Sequence, residues 1–135
     1  MSRSKLIKIT IAIVILCLLV SLVWFVIRIA PYNMGNYTME HYTIYFDKNF
    51  HPEYKQYDEI QDYKDAYNIA LDVIDDVCPT SDFTRFNTWY KREVYYDSQS
   101  DTWFVHAFPW DNDFLDGEYG VIISTDGTVV GCFFY

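Results

Sequence analysis

The chain has 135 residues and a formal net charge of −9, but the charge is unevenly placed. All nineteen acidic residues lie beyond Ala30, against six basic ones there (Lys48, Lys55, Lys64, Arg85, Lys91 and Arg92), so that part carries −13. Such a balance excludes a nucleic-acid binder, which needs a basic face for phosphates, and the hundred or so residues involved suffice for one domain, not two.

The first element is apolar. Ile9 to Ile27 carries no charge and is built almost wholly of Ile, Leu, Val and Ala. As a helix it spans close to ~30 Å, the thickness of a bilayer's hydrocarbon core. Arg3, Lys5 and Lys8 precede it and only Arg28 follows closely, which predicts the N-terminus in the cytoplasm and the rest outside. Trp24 and Phe25 fall where an aromatic belt would lie, and Arg28 can snorkel to the headgroups. A soluble chain this short could hardly bury such a helix on all sides. A cleaved signal peptide is the main alternative. Arg28 just before the nearest small residue, Ala30, and Pro31 just after it argue against cleavage. The expectation is a signal anchor over 9–30 behind a basic cytoplasmic tail over 1–8. Thr10, Val14, Cys17, Ser21, Trp24 and Arg28 share one face of the span, a stripe that can support helix pairing in lipid.

Residues 31–57 read as a stalk with one short strand. Pro31 to Thr38 is polar and turn-rich, and Asn36-Tyr37-Thr38 fits the glycosylation acceptor pattern, more simply a chance match. His41 to Phe46 alternates and is aromatic, as a strand would. The acidic domain, repelled by anionic lipid, is expected to stand off the bilayer.

The domain proper is expected over 58–135. Asp58 as N-cap with Gln61 three residues on resembles a capping box. Ile60, Tyr63, Tyr67, Ala70, Leu71, Ile74 and Val77 then give one apolar helical face until Pro79. Asp75 and Asp76 sit unfavourably at the helix's negative end. Thr80 to Tyr90 fits either a short helix or a loop. Four strand signals follow: Glu93–Tyr96, Thr102–Phe108, Tyr119–Ser124 and Thr128–Phe134. The last pair flanks Asp126-Gly127, a strong hairpin signal. The fold class is therefore α+β: a transmembrane helix, then one main helix packed on an antiparallel sheet of about four strands.

Chemistry is sparse. Trp110, Asp111, Asp113, Phe114, Asp116 and Glu118 mix aromatics with carboxylates in one loop, a composition suited to receiving a basic protein partner. Its spacing does not fit an EF-hand. His41, His51 and His106 show no metal spacing, and no nucleophile is paired with a base. No catalytic residue, metal or cofactor is expected. In an oxidising compartment Cys78 and Cys132 could be bridged; two free buried thiols are the alternative.

The run from Asp65, with "DAYNIALDVI", "DTWFVHAFP" and "GEYGVIISTDGTVVGCFFY", resembles nuclear-transport-factor-fold immunity proteins and PepSY-like or cystatin-like domains. Trp103, Val105, Gly120, Ile122, Ile123, Asp126, Gly127 and Val129 occupy the matching places. The resemblance covers about half the chain and lacks the extra helices of a full cone-shaped fold. It implies binding or inhibition rather than a reaction. The leading expectation is a membrane-anchored protein-binding module, with a toxin-neutralising immunity protein as its concrete form. The alternatives are an accessory subunit acting through its transmembrane helix, and a small-ligand binder or enzyme with a cone-shaped pocket.

Overall fold

The computed structural model describes residues 2–36, 55–79, 81, 83–111 and 117–134. The fold is α+β. Helix α1 (Arg3–Ile29) is followed by strand β1 (Tyr32–Asn36), helix α2 (Tyr63–Val77) and strands β2 (Tyr90–Asp97), β3 (Thr102–Pro109), β4 (Tyr119–Ser124) and β5 (Val129–Phe134). The strands form one sheet in the order β1-β2-β3-β4-β5.

Helix α1 is long and apolar enough to cross a membrane, and none of its residues is buried against the rest of the chain. Two hydroxyls within the apolar run ask nothing of a neighbour: Thr10 donates to the Leu6 carbonyl and Ser21 to the Cys17 carbonyl. The helix starts earlier than the apolar run, because Ser2 caps it and the basic tail from Arg3 is already helical. Ala30, held extended before Pro31, ends it.

The polar stretch after Pro31 is not a stalk of turns. Tyr32–Asn36 pairs in parallel with β2, so the sheet has a fifth strand and is mixed. A short polar segment gives no apolar alternation to read. It becomes a strand because α1 delivers it beside the open edge of β2. The strand signal at His41–Phe46 lies outside the described residues.

Helix α2 starts four residues later than the capping-box reading places it. Asp62, not Asp58, is the N-cap, accepting from the amides of Lys64 and Asp65. The residues before it are held extended by the β4–β5 hairpin. The amide of Tyr57 donates to the Gly127 carbonyl and that of Ile60 to the Thr125 carbonyl. Helical backbone cannot form while those amides point at another segment. The Asp126-Gly127 hairpin is present as expected, with Gly127 at φ 87°.

Ala66, Ala70, Leu71, Val73 and Ile74 of α2 pack against Val94, Val105, Ala107, Val121, Ile123 and Cys132 of the sheet. Each large aliphatic buried there contributes about 1.5–3 kcal/mol. Phe104, Ile122 and Phe133 point to the opposite face and are buried too. The nearly continuous apolar reading of β4 and β5 reflects this two-sided burial. Cys78 and Cys132 are free thiols, so the bridge weighed above is absent. Burial in the core pushes the Cys132 thiol up to about 11.

Candidate functional site

Of the acidic-aromatic loop, Trp110, Asp111 and Glu118 are among the described residues. Asp113, Phe114 and Asp116 lie outside the described residues. Trp110 and Asp111 line a cleft at the end of α1 and Glu118 meets His106, with Lys91, paired with Glu93, also lying over the Trp110 ring at 5.8 Å.

Trp110 turns towards the end of α1. Its amide donates to the Trp89 carbonyl at 2.8 Å, its ring meets Tyr32 edge-on, and its face takes the Arg28 guanidinium at 4.6 Å. Trp24, one turn earlier on α1, flanks the same guanidinium at 5.3 Å. With Thr88, Trp89 and Asp111 these side chains line an open cleft of about 420 Å³.

The junction beneath this cleft is built on Arg92, which is fully buried. Its Nε donates to the Tyr67 hydroxyl at 2.8 Å. Nη1 donates to the carbonyls of Tyr90 at 2.7 Å and Arg28 at 3.1 Å. Nη2 donates to those of Thr84 at 2.9 Å, Arg85 at 3.3 Å and Asn87 at 2.7 Å. No carboxylate pairs with it among the described residues. Burial pulls the Arg92 pKa down and Tyr67 opposes the shift, but a guanidinium stays protonated. The Arg28 carbonyl belongs to the last turn of α1, where carbonyls lack helical partners and the dipole is negative. Arg92 therefore acts as a cationic cap on the apolar helix from a strand 64 residues away in sequence. Tyr32 caps the neighbouring Ile27 carbonyl with its hydroxyl at 3.2 Å. The sheet is thus fastened directly to the end of the apolar helix.

Glu118 lies instead on the sheet face away from α2, 3.4 Å from His106 Nε2. Glu93 faces His106 across the β2–β3 pair. Lys91 bridges to Glu93 at 2.5 Å, and the Tyr95 hydroxyl donates to the same carboxylate. Phe104, Phe108 and Phe133 enclose the imidazole. Burial pushes the His106 pKa below its ordinary value, and Glu118 and Glu93 only partly oppose that. Burial would raise the Glu93 pKa, but hydrogen bonds from Lys91 and Tyr95, with the charges of Lys91 and His106, hold it below the usual range.

Both shifts act in the same sense on stability. The unfolded chain protonates its imidazole first as pH falls through about 6.5, so the His106 contribution is present above that pH and lost below it. The Glu93 contribution is present above about pH 4.5 and lost as pH falls through the lower folded value. Urea unfolding of the full chain in detergent should give constant stability between about pH 7 and 8 and a fall in two phases below that range. His106→Phe should remove the upper phase, and Glu93→Gln should shrink the lower one, to which Asp97 and Asp126, also held below their ordinary values by hydrogen bonds, contribute. An unchanged upper phase in His106→Phe would exclude the histidine as its source.

Carboxylates also gather on the outer side of α2 and its approach. Asp58, Glu59, Asp62, Asp72, Asp75 and Asp76 are exposed and Asp65 is half-buried, with Lys55, Lys64 and Arg85 the cations among them. Lys55 pairs with Asp76, both exposed, a contact that solvent screening leaves weak. Asp72 accepts from the Tyr57 hydroxyl at 2.7 Å. A shallow groove of about 180 Å³ lies between Asn68, Leu71, Asp72, Asp75 and Arg85. His41 and His51 lie outside the described residues.

Sequence reasoning missed Arg92, Trp89 and the Glu93–His106 pair. One signal was available for Arg92. It alternates with Tyr90 and Val94, on the face that turns inward, once the strand is started at Tyr90 rather than Glu93. Set against protein-family models, curated proteins and solved structures, the chain matches none.

Proposed function

We propose that this protein is a single-pass membrane-anchored module whose domain, outside the cytoplasm, binds a basic protein. A toxin-neutralising immunity protein is the concrete form. The observation that carries this reading is the outer side of α2. Seven carboxylates and three cations lie there and on the approach to it, in a domain of net charge −13. Such a surface steers a basic partner and repels an acidic one. The interior between α2 and the sheet is filled by side chains at least nine-tenths buried, which favours surface binding over a cone-shaped pocket. Topology follows from Arg3, Lys5 and Lys8 on one side of the span against Arg28 alone on the other.

The test is crosslinking in intact cells followed by purification of the full-length chain. A basic protein should be captured, and its yield should fall as salt rises. Replacing Asp72, Asp75 and Asp76 together with Lys should abolish capture. Capture that is indifferent to those changes and to salt would remove the proposal. Exchanging Ile9–Ile27 for an unrelated span separates this reading from an accessory subunit acting through its helix. Capture survives the exchange in the first case and is lost in the second.

A further inference from the structure

Trp24 and Arg28 belong both to the last turns of the apolar helix and to the wall of a cleft in the domain. That double membership fixes where the cleft lies. An exposed apolar surface runs along α1 and ends near Trp24 and Arg28. The cleft opens at that boundary. Arg28 faces two indoles there and pairs with no carboxylate among the described residues.

The loop before β2 lies at the same level. Trp89 is 76 % exposed, the highest value among the described large apolar side chains, and Phe86 is 65 % exposed. Their position along the helix axis is set by Arg92, whose guanidinium holds the Arg28 carbonyl together with those of Thr84, Arg85 and Asn87. Two large exposed aromatics held beside the end of an apolar helix match the amphipathic belt at a membrane–water boundary.

We infer that this junction docks on the phospholipid leaflet at the C-terminal end of α1. Phe86 and Trp89 enter the headgroup–acyl boundary, and Arg28 receives a lipid phosphate in the cleft between Trp24 and Trp110. The lipid is zwitterionic, of the phosphoethanolamine or phosphocholine type. Asp111 in the cleft wall suits the headgroup's ammonium while Arg28 takes its phosphate. A domain of net −13 would be repelled from an anionic leaflet. The inference rests on α1 being embedded, which the experiment checks separately.

The full-length chain is placed in nanodiscs of phosphatidylcholine brominated near the glycerol end of the acyl chains. Indole emission is compared for wild type, Trp24→Phe and Trp89→Phe. The emission lost on substituting each Trp reports that residue. Both Trp24 and Trp89 should be quenched by the brominated lipid, and Trp89 should be shielded from aqueous iodide. Quenching of Trp24 with Trp89 unquenched and open to iodide would overturn the docking while leaving the anchor intact. Failure to quench either would overturn both. Native mass spectrometry of the released protein should show retained phospholipid in wild type and its loss in Arg28→Gln. That substitution leaves the Arg28 carbonyl, and so the Arg92 clamp, in place. Equal retention in Arg28→Gln would overturn the phosphate assignment.

Discussion

Arg92→Leu should lower the stability of the domain by about 3–5 kcal/mol, the range for removing one partner from a buried ionic hydrogen-bond network. The substitution fills similar space but strips donors from five carbonyls and the Tyr67 hydroxyl at once. The melting temperature should fall by more than about 12 °C for a domain of this size. Thermal near-ultraviolet circular dichroism of the full chain in detergent reads it directly. Arg92→Lys should recover only part of the loss, because an ammonium carries three donors and no planar fork. Tyr67→Phe removes one acceptor and should cost about 1 kcal/mol. A distinct second signature is expected in Arg92→Leu. The loop over 83–89 and the end of α1 lose their common anchor, so limited proteolysis should cut that loop before the sheet melts. A shift of only a few degrees would mean that the carbonyls find water or each other, and that the clamp is not what joins helix to domain.

Gly127→Val should be the other severe substitution, at about 3 kcal/mol or more. The position combines two demands. Its φ of 87° strains any residue with a Cβ by about 1–2 kcal/mol. An added Cβ would also lie 2.3 Å from the Tyr57 carbonyl oxygen and 2.6 Å from that of Asp58. These are backbone atoms that cannot rotate away, so the segment over 56–60 must lift off the hairpin. Ile60, 4 % exposed, would leave the core with it, a further loss of about 1.5–3 kcal/mol. Gly35 provides the comparison inside the same molecule. Its φ is 77°, but none of the described residues lies within 4 Å of an added Cβ, so Gly35→Ala should show only the backbone strain of about 1–2 kcal/mol. Chemical unfolding of the two variants side by side measures the difference. Equal losses would show that the contact with Tyr57 and Asp58 adds nothing.

Both effects were hidden from the sequence in different degrees. Asp126-Gly127 was legible as a turn, because a two-residue signal between apolar runs carries its own backbone requirement. That the same glycine also receives a second segment was not, since Tyr57 lies 70 residues upstream and its own sequence says only loop. Arg92 was legible as a charge and not as a buried hub. Its acceptors are backbone carbonyls, which have no sequence signature, and they come from three separate segments. The acidic-aromatic loop was read as one contact surface because its residues are neighbours in the chain. Trp110 follows β3 and lines the cleft at the end of α1, while Glu118 precedes β4 and meets His106, contacts that composition alone does not disclose.

The sequence by itself determined whatever depends on local periodicity or composition. That covers the apolar helix, the amphipathic helix, four strands and their hairpin, the acidity of the domain and the lack of a catalytic motif. Each of these is set by side chains within a few residues of one another, so a short window contains the whole cause. Only the tertiary structure decided that Tyr32–Asn36 is a strand, that α2 begins at Asp62, that both cysteines stay free and that the domain is fastened to the helix end. Those outcomes turn on which distant groups meet. A backbone amide, a carbonyl or a guanidinium has no preferred partner until the fold brings one within about 3 Å.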